Sequence, residues 1–245
     1  MKHYKRQITT FAGILFIFIF WIILSNIIKE EIVLPTVSTT FKTLIDLLKN
    51  KNTYFVLLNT IGGLILVVII SFFISLILSL ISYKFPGFKN FVQPLLSLFK
   101  ILPVPAVIIF FLVQFSQTIT PYLLTTMIVI PIIYEGLYSS FISIDDDITD
   151  EVRTISSTNL KVIFYIYLPL TRVGIITSLL QSIGIGLKVK VMTEFVSNAP
   201  NTIGYQLNFA KSWLLMDQVF AWTIILVVVV ILLDFVLGKF IKKIQ

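Results

Sequence analysis

Long apolar runs alternate with short polar segments along the whole chain. The runs occupy about residues 11–28, 56–81, 91–115, 122–144, 173–196 and 219–237. Each approaches or exceeds the roughly 20 residues that cross a hydrocarbon core of about 30 Å. The pattern predicts an all-α membrane protein with about six transmembrane helices, forming a single transmembrane domain over residues 1–245. At 1.5 Å per residue the second run is roughly 39 Å long, so it must tilt or protrude. Gly62 and Gly63 near its start favour close approach of a neighbouring helix. The third run contains Pro103 and Pro105, which predicts a kinked span whose freed carbonyls need other partners.

The polar interruptions carry their own periodicity. The segment 145–169 opens with three aspartates and reads as a short amphipathic helix. Asp147 suits the N-cap, and Asp150 three positions later suits the positive helix end. Ile148, Val152 and Ile155 share one face, while Asp150, Glu151 and Arg153 point elsewhere. Leu168-Pro169 then opens the fifth run. A solvated helix tied at both ends to spans is suited to passing a push from a soluble partner into the membrane. Within residues 29–54, Val37, Phe41, Leu44, Leu47 and Leu48 recur at helical spacing, which predicts a second amphipathic helix lying at the membrane surface.

Composition agrees with this class and supplies an orientation. The chain is 57% hydrophobic and 13% charged, with a mean hydropathy of +0.99. Ordinary soluble domains are about 45–50% apolar and about 25% charged. The net charge of +7 reflects lysines and arginines gathered on alternate connections rather than a basic nucleic-acid face. Lys84, Lys89, Arg153, Lys161, Arg172 and both terminal clusters fall on one side, against Lys29, Lys42, Lys49, Lys51 and Lys211 on the other. The bias places both termini in the cytoplasm. The basic start resembles a signal-peptide n-region, but no small-residue cleavage site follows, so residues 11–28 are read as a retained span. With no cysteine, neither disulfides nor thiolate metal sites arise.

Several short motifs together resemble the permease subunits of binding-protein-dependent ATP-binding-cassette importers. Their cytoplasmic signature is roughly E-A-A-x3-G followed by a Leu-Pro, and in the taurine/sulfonate/nitrate-like branch it runs EAARTLGAS, LP, PG. This chain has DEVRTISST at Asp150–Thr158, then Leu168-Pro169 and Gly174 at matching distances. Arg153 and Thr154 match, Ile155 stands for Leu, and Glu151, Val152, Ser156 and Val173 depart from the pattern. Leu34-Pro35, the Lys100–Ala106 stretch KILPVPA and the Thr202–Leu207 stretch TIGYQL resemble further family segments. The resemblance implies the type I importer transmembrane-domain fold in a bacterial cytoplasmic membrane. It implies a coupling role for Asp150, Glu151, Arg153, Thr154, Ser156, Leu168 and Pro169. It implies a cytoplasmic ATPase dimer, a second permease copy or paralogue, and an extracytoplasmic substrate-binding protein. No cofactor is expected in this chain, because ATP and Mg would be bound by the partner ATPase.

Charges inside the apolar runs are the remaining candidates. Insertion of a charged side chain at mid-membrane costs about 2.5–3.5 kcal/mol, so such residues usually pair or face a cavity. Glu135 lies within the fourth run, and either a lysine from the third or fifth run neutralises it or it lines the pathway. Lys190 and Glu194 are four apart and pair along one face of the fifth run. Lys188 projects about 200° away from Lys190. These lysines either snorkel to the outer interface beside one ion pair, or Lys188 presents a cation to the solute path, which leans toward an anionic solute. Lys100, Glu135, Lys188, Lys190 and Glu194 are the candidates to line that path. An ATP-independent channel or secondary transporter using Glu135, Lys188 and Lys190 is the alternative. A membrane hydrolase lacks a basis: the single histidine, His3, lies at the terminus, and no HExxH or GxSxG is present. No G-x4-G-K-[ST] loop is present either, so an active transporter would need a separate ATPase.

Overall fold

The structure, a computed structural model, describes residues 2–145, 147–148, 150 and 162–244. The described residues form nine principal helices. They are α1 (Lys2–Ile28), α2 (Val37–Lys49), α3 (Lys51–Lys84), α4 (Pro86–Ile101) and α5 (Val104–Gln114), followed by α6 (Thr120–Ile142), α7 (Arg172–Ser197), α8 (Ile203–Ser212) and α9 (Met216–Ile244). Among the described residues four helices are long and apolar enough to cross a membrane, or five if α4 and α5 count as one bent span. The apolar half of α1 described in full, Leu15–Ile28, is shorter.

Three helices make the core, with α6 packed between α3 and α7. α3 spans 34 residues, or about 51 Å, well beyond the hydrocarbon thickness. Its buried stripe runs Thr60, Leu64, Val67, Ser71, Ser75, Ser79, Ser82, mostly small residues that let α6 approach. Ser75 Oγ donates 2.9 Å across the interface to Ile130 O, beside the helix-interrupting Pro131. α7 presents Gly174, Ser178, Ser182, Gly186, Lys190 and Glu194 at a spacing of four, and the last five, from Ser178 on, are all buried or tightly packed. A Cβ on Gly136 would meet the Ser178 side chain and backbone, and one on Gly174 would meet Ser140. Leu64, Val129, Ile133, Leu137, Leu187, Ile203 and Trp222 fill the rest of this core.

The third run is broken where its prolines predict: α4 and α5 meet at a bend of 100° around Leu102-Pro103. Lys89 sits over the Tyr138 ring at 4.7 Å, and Lys100 meets Glu135 at 2.7 Å. Contacts from both halves of α4 thus fall within one turn of α6. The amphipathic pattern of α4 fits this placement, because Val92 and Leu96 bury against Tyr134 while the opposite face stays exposed. The amphipathic helix expected within 29–54 forms as α2, capped by Thr36, with Leu44 and Leu47 of its apolar stripe packed on the core. Phe41 and Leu48 remain exposed.

Candidate functional site

The densest polar cluster lies where α7 ends and α8 begins. Lys190 and Glu194 pair at 3.0 Å, as their spacing predicts, but neither snorkels: they are 1% and 0% exposed. Room for the lysine comes from Gly63 on α3, where a Cβ would stand 2.9 Å from Lys190 Nζ and 2.8 Å from Tyr122 Oη. The ammonium also sits 4.0 Å from the centroid of the Tyr122 ring, on α6. Glu194 Oε1 faces the lysine too obliquely for a hydrogen bond, so that contact is an ion pair. Glu194 Oε2 accepts from Thr60 Oγ1 at 3.0 Å and from the Gly204 amide at 3.4 Å. Thr60 Oγ1 in turn accepts from the Ile203 amide at 3.0 Å.

This network joins four elements through one carboxylate. Glu194 supplies the negative charge that the first amides of α8 favour, while Thr202 caps the same helix end. Gly204 has no side chain because a Cβ there would meet Glu194 itself. Asn198 turns the chain at the end of α7 in the left-handed conformation, and Asn59 Nδ2 ties the turn to α3 through Asn201 O. Beside the pair is a cavity of about 180 Å³ lined by Asn59, Thr118, Tyr122, Lys190, Glu194 and Thr202, with Pro121, Ala199 and Pro200. The arrangement can hold the ends of α3, α6, α7 and α8 in one register and offer a small polar chamber.

A second ion pair lies toward the other end of α6. Lys100 Nζ reaches both oxygens of Glu135 at 2.7 Å, which realises the expected pairing of that acid with a lysine of the third run. The two side chains are 43% and 54% exposed, so this pair opens onto a face rather than into the core. Lys188 also stays at the surface of α7, lining an apolar groove against α9.

The segment between α6 and α7 carries the coupling candidates. Asp150 is exposed, while Glu151, Arg153, Thr154 and Ser156 lie outside the described residues. Leu168 is half-buried and packs against the core, and Pro169 is exposed. They follow a single π-helical turn, Ile163–Tyr167, whose Tyr167 is buried with its ring 5.9 Å from Tyr83. Tyr83 stacks in turn on Phe141 at the end of α6. Thr171 Oγ1 donates to Tyr167 O at 2.8 Å, bridging the break between the Leu168–Leu170 turn and α7. The signals for the buried network were present in the sequence as the four-residue spacing from Gly174 to Glu194. Its partners Thr60, Gly63 and Tyr122 carry no such mark.

The profile of the family described as "Binding-protein-dependent transport system inner membrane component" matches residues 72–245. Among solved structures, a chain of the MetNI methionine ABC transporter in inward-facing conformations is similar, with a TM-score of 0.63 at 12% identity. The match covers 80% of this chain and 99% of that one. At this identity the likeness is one of fold, and it agrees with the type I importer transmembrane architecture. No curated protein matches the chain in sequence.

Proposed function

The chain belongs to the family of inner-membrane components of binding-protein-dependent transport systems, the permeases of ATP-binding-cassette importers, and from that premise we propose how it works. It forms, with a second copy or a related chain, the path for a small solute handed over by an extracytoplasmic binding protein. A separate ATPase dimer binds ATP and Mg and grips the segment around Asp150–Ser156 on the cytoplasmic side. The end bearing Asn198 faces outward, as the lysine and arginine bias favours. The branch resemblance favours a sulfonate-like anion as the solute.

One observation carries the coupling reading: the 145–169 connection is rooted in the two most closely packed helices. α6 and α7 interlock through Gly136 against Ser178 and Gly174 against Ser140, so neither can slide alone. Tyr167 seats the returning chain on Tyr83 and Phe141. A displacement of the connection therefore moves α6 and α7 together, and the Glu194 network carries that movement to α3 and α8. The ATPase drives the cycle only through unequal affinity for the two states of this unit. The alternative, an ATP-independent ion path, has less support, because Glu135 and Lys190 are both neutralised by partners.

The test is a pull-down from detergent-solubilised membranes with the tagged chain, read by mass spectrometry. An ATP-binding-cassette ATPase is expected to co-purify, and to be lost when residues 150–156 are scrambled. Recovery of the folded chain alone, in both forms, would promote the ion-path reading.

A further inference from the structure

We propose that the groove between α7 and α9 is a binding site for an anionic membrane lipid, with an acyl chain along its apolar wall and the headgroup paired to Lys188. The groove has a volume of about 600 Å³, within the range of roughly 300–1,000 Å³ that small-molecule pockets occupy. α7 contributes Leu187, Val191 and Phe195 to it, α8 contributes Leu207, and α9 contributes Leu226 and Val230. Lys188 is the single charged residue of this lining. A long apolar trough with one placed cation is complementary to an amphiphile with one anionic end.

Among the described residues no hydrogen bond, ion pair or ring contact reaches Lys188. It points away from the buried Lys190–Glu194 pair, and that acid is already committed. The site also lies on a lipid-facing side. α9 is the least buried of the four long apolar helices, and Val227, Val228, Ile231 and Leu232 beside the groove are exposed. A second copy of the chain is a poor occupant. Of the described acids within the spanning helices, Glu135 and Glu194 are paired, Asp217 accepts from Thr43 at the start of α9, and Asp234 lies toward its far end. A second copy therefore offers no free carboxylate at the depth of Lys188, whereas an anionic headgroup supplies one charge. Lys188 lies about 14 Å along α7 from Ser197, so the headgroup is drawn below its ordinary level, which local thinning of the bilayer permits.

The test uses the full chain equilibrated in vesicles of phosphatidylcholine with a minority of phosphatidylglycerol, then native mass spectrometry. The unaltered chain is expected to retain phosphatidylglycerol, Lys188→Gln to retain about fivefold less, and Lys188→Arg to retain it. Leu226→Trp, which fills the groove and leaves the charge, is expected to lose it as well. Yield and thermal melting of each variant establish that it is folded. Equal retention by the unaltered chain and Lys188→Gln would overturn the proposal, as would equal retention of phosphatidylcholine. The chain has no cysteine, so Thr223→Cys reports on protein neighbours directly. Efficient disulfide dimers through it would make the groove a contact between copies and overturn the lipid assignment. The readout needs neither ATPase nor solute, so failure of the transport reading would leave it standing.

Discussion

Lys190 and Glu194 are among the most deeply buried side chains of the molecule, yet each carries a charge. A buried pair gains little over an apolar pair, because desolvation offsets most of the attraction. Removing one partner is different, since the other is left as an unpaired buried charge. Glu194→Gln and Lys190→Met are each expected to destabilise the chain by about 3–5 kcal/mol. The double variant Lys190→Met/Glu194→Gln removes both charges and keeps the acceptor for Thr60 and the Gly204 amide. It should be more stable than either single variant. Thermal unfolding in detergent measures this, and a double variant no better than the sum of the singles would show that the pair is not the organising contact.

Between elements, contact distance is set by missing side chains. Gly136→Ala would push a methyl into Ser178 on the facing helix and is expected to destabilise by about 1–3 kcal/mol. Gly62→Ala, where nothing lies within 4 Å, removes a flexible residue from the interior of α3 and should be neutral or stabilising by up to about 1 kcal/mol. Melting of the two variants side by side checks the contrast; similar losses in both would mean that α6 and α7 are not interlocked there. α4 is tied to α6 by the Lys100–Glu135 pair. That pair is about half exposed, so breaking it should change stability by less than about 1 kcal/mol. Its effect belongs to geometry: Lys100→Glu and Glu135→Lys singly should lower solute uptake in cells, and the charge-swapped double variant should recover it. A double variant as inactive as the singles would remove the pair from that role.

Over the whole molecule, α3, α6 and α7 behave as one packed unit, with α4 and α5 on one flank and α2, α8 and α9 on the other. α1 stands outside it and touches the rest chiefly through Trp21, which donates to Pro35 O and stacks on Phe220. The 145–169 connection joins α6 to α7, so the proposed ATPase needs to engage only one short segment. Replacing Glu151 or Arg153 with alanine is expected to abolish substrate-stimulated ATP hydrolysis of the assembled transporter while leaving its melting temperature within the error of the measurement. Full stimulation in both variants would place the coupling elsewhere.

The apolar runs alone determined that this is a helical membrane protein, because a bilayer demands long apolar helices whose backbone groups are satisfied internally. Their order and the i, i+4 pairing of Lys190 with Glu194 were legible for the same local reasons. Only the tertiary structure decided which face of each helix turns inward. In an apolar helix the core-facing and lipid-facing sides are equally apolar, so polarity carries no period and residue size does instead. The stripes from Thr60 to Ser82 and from Gly174 to Glu194 are patterns of small residues, and their meaning lies in a facing helix far away in sequence. The same holds for Lys190: it goes inward rather than to the interface because Gly63 and Tyr122, on two other helices, leave it a place. Two prolines marked a break at Pro103, but its 100° angle was set by the partners that α4 finds on α6.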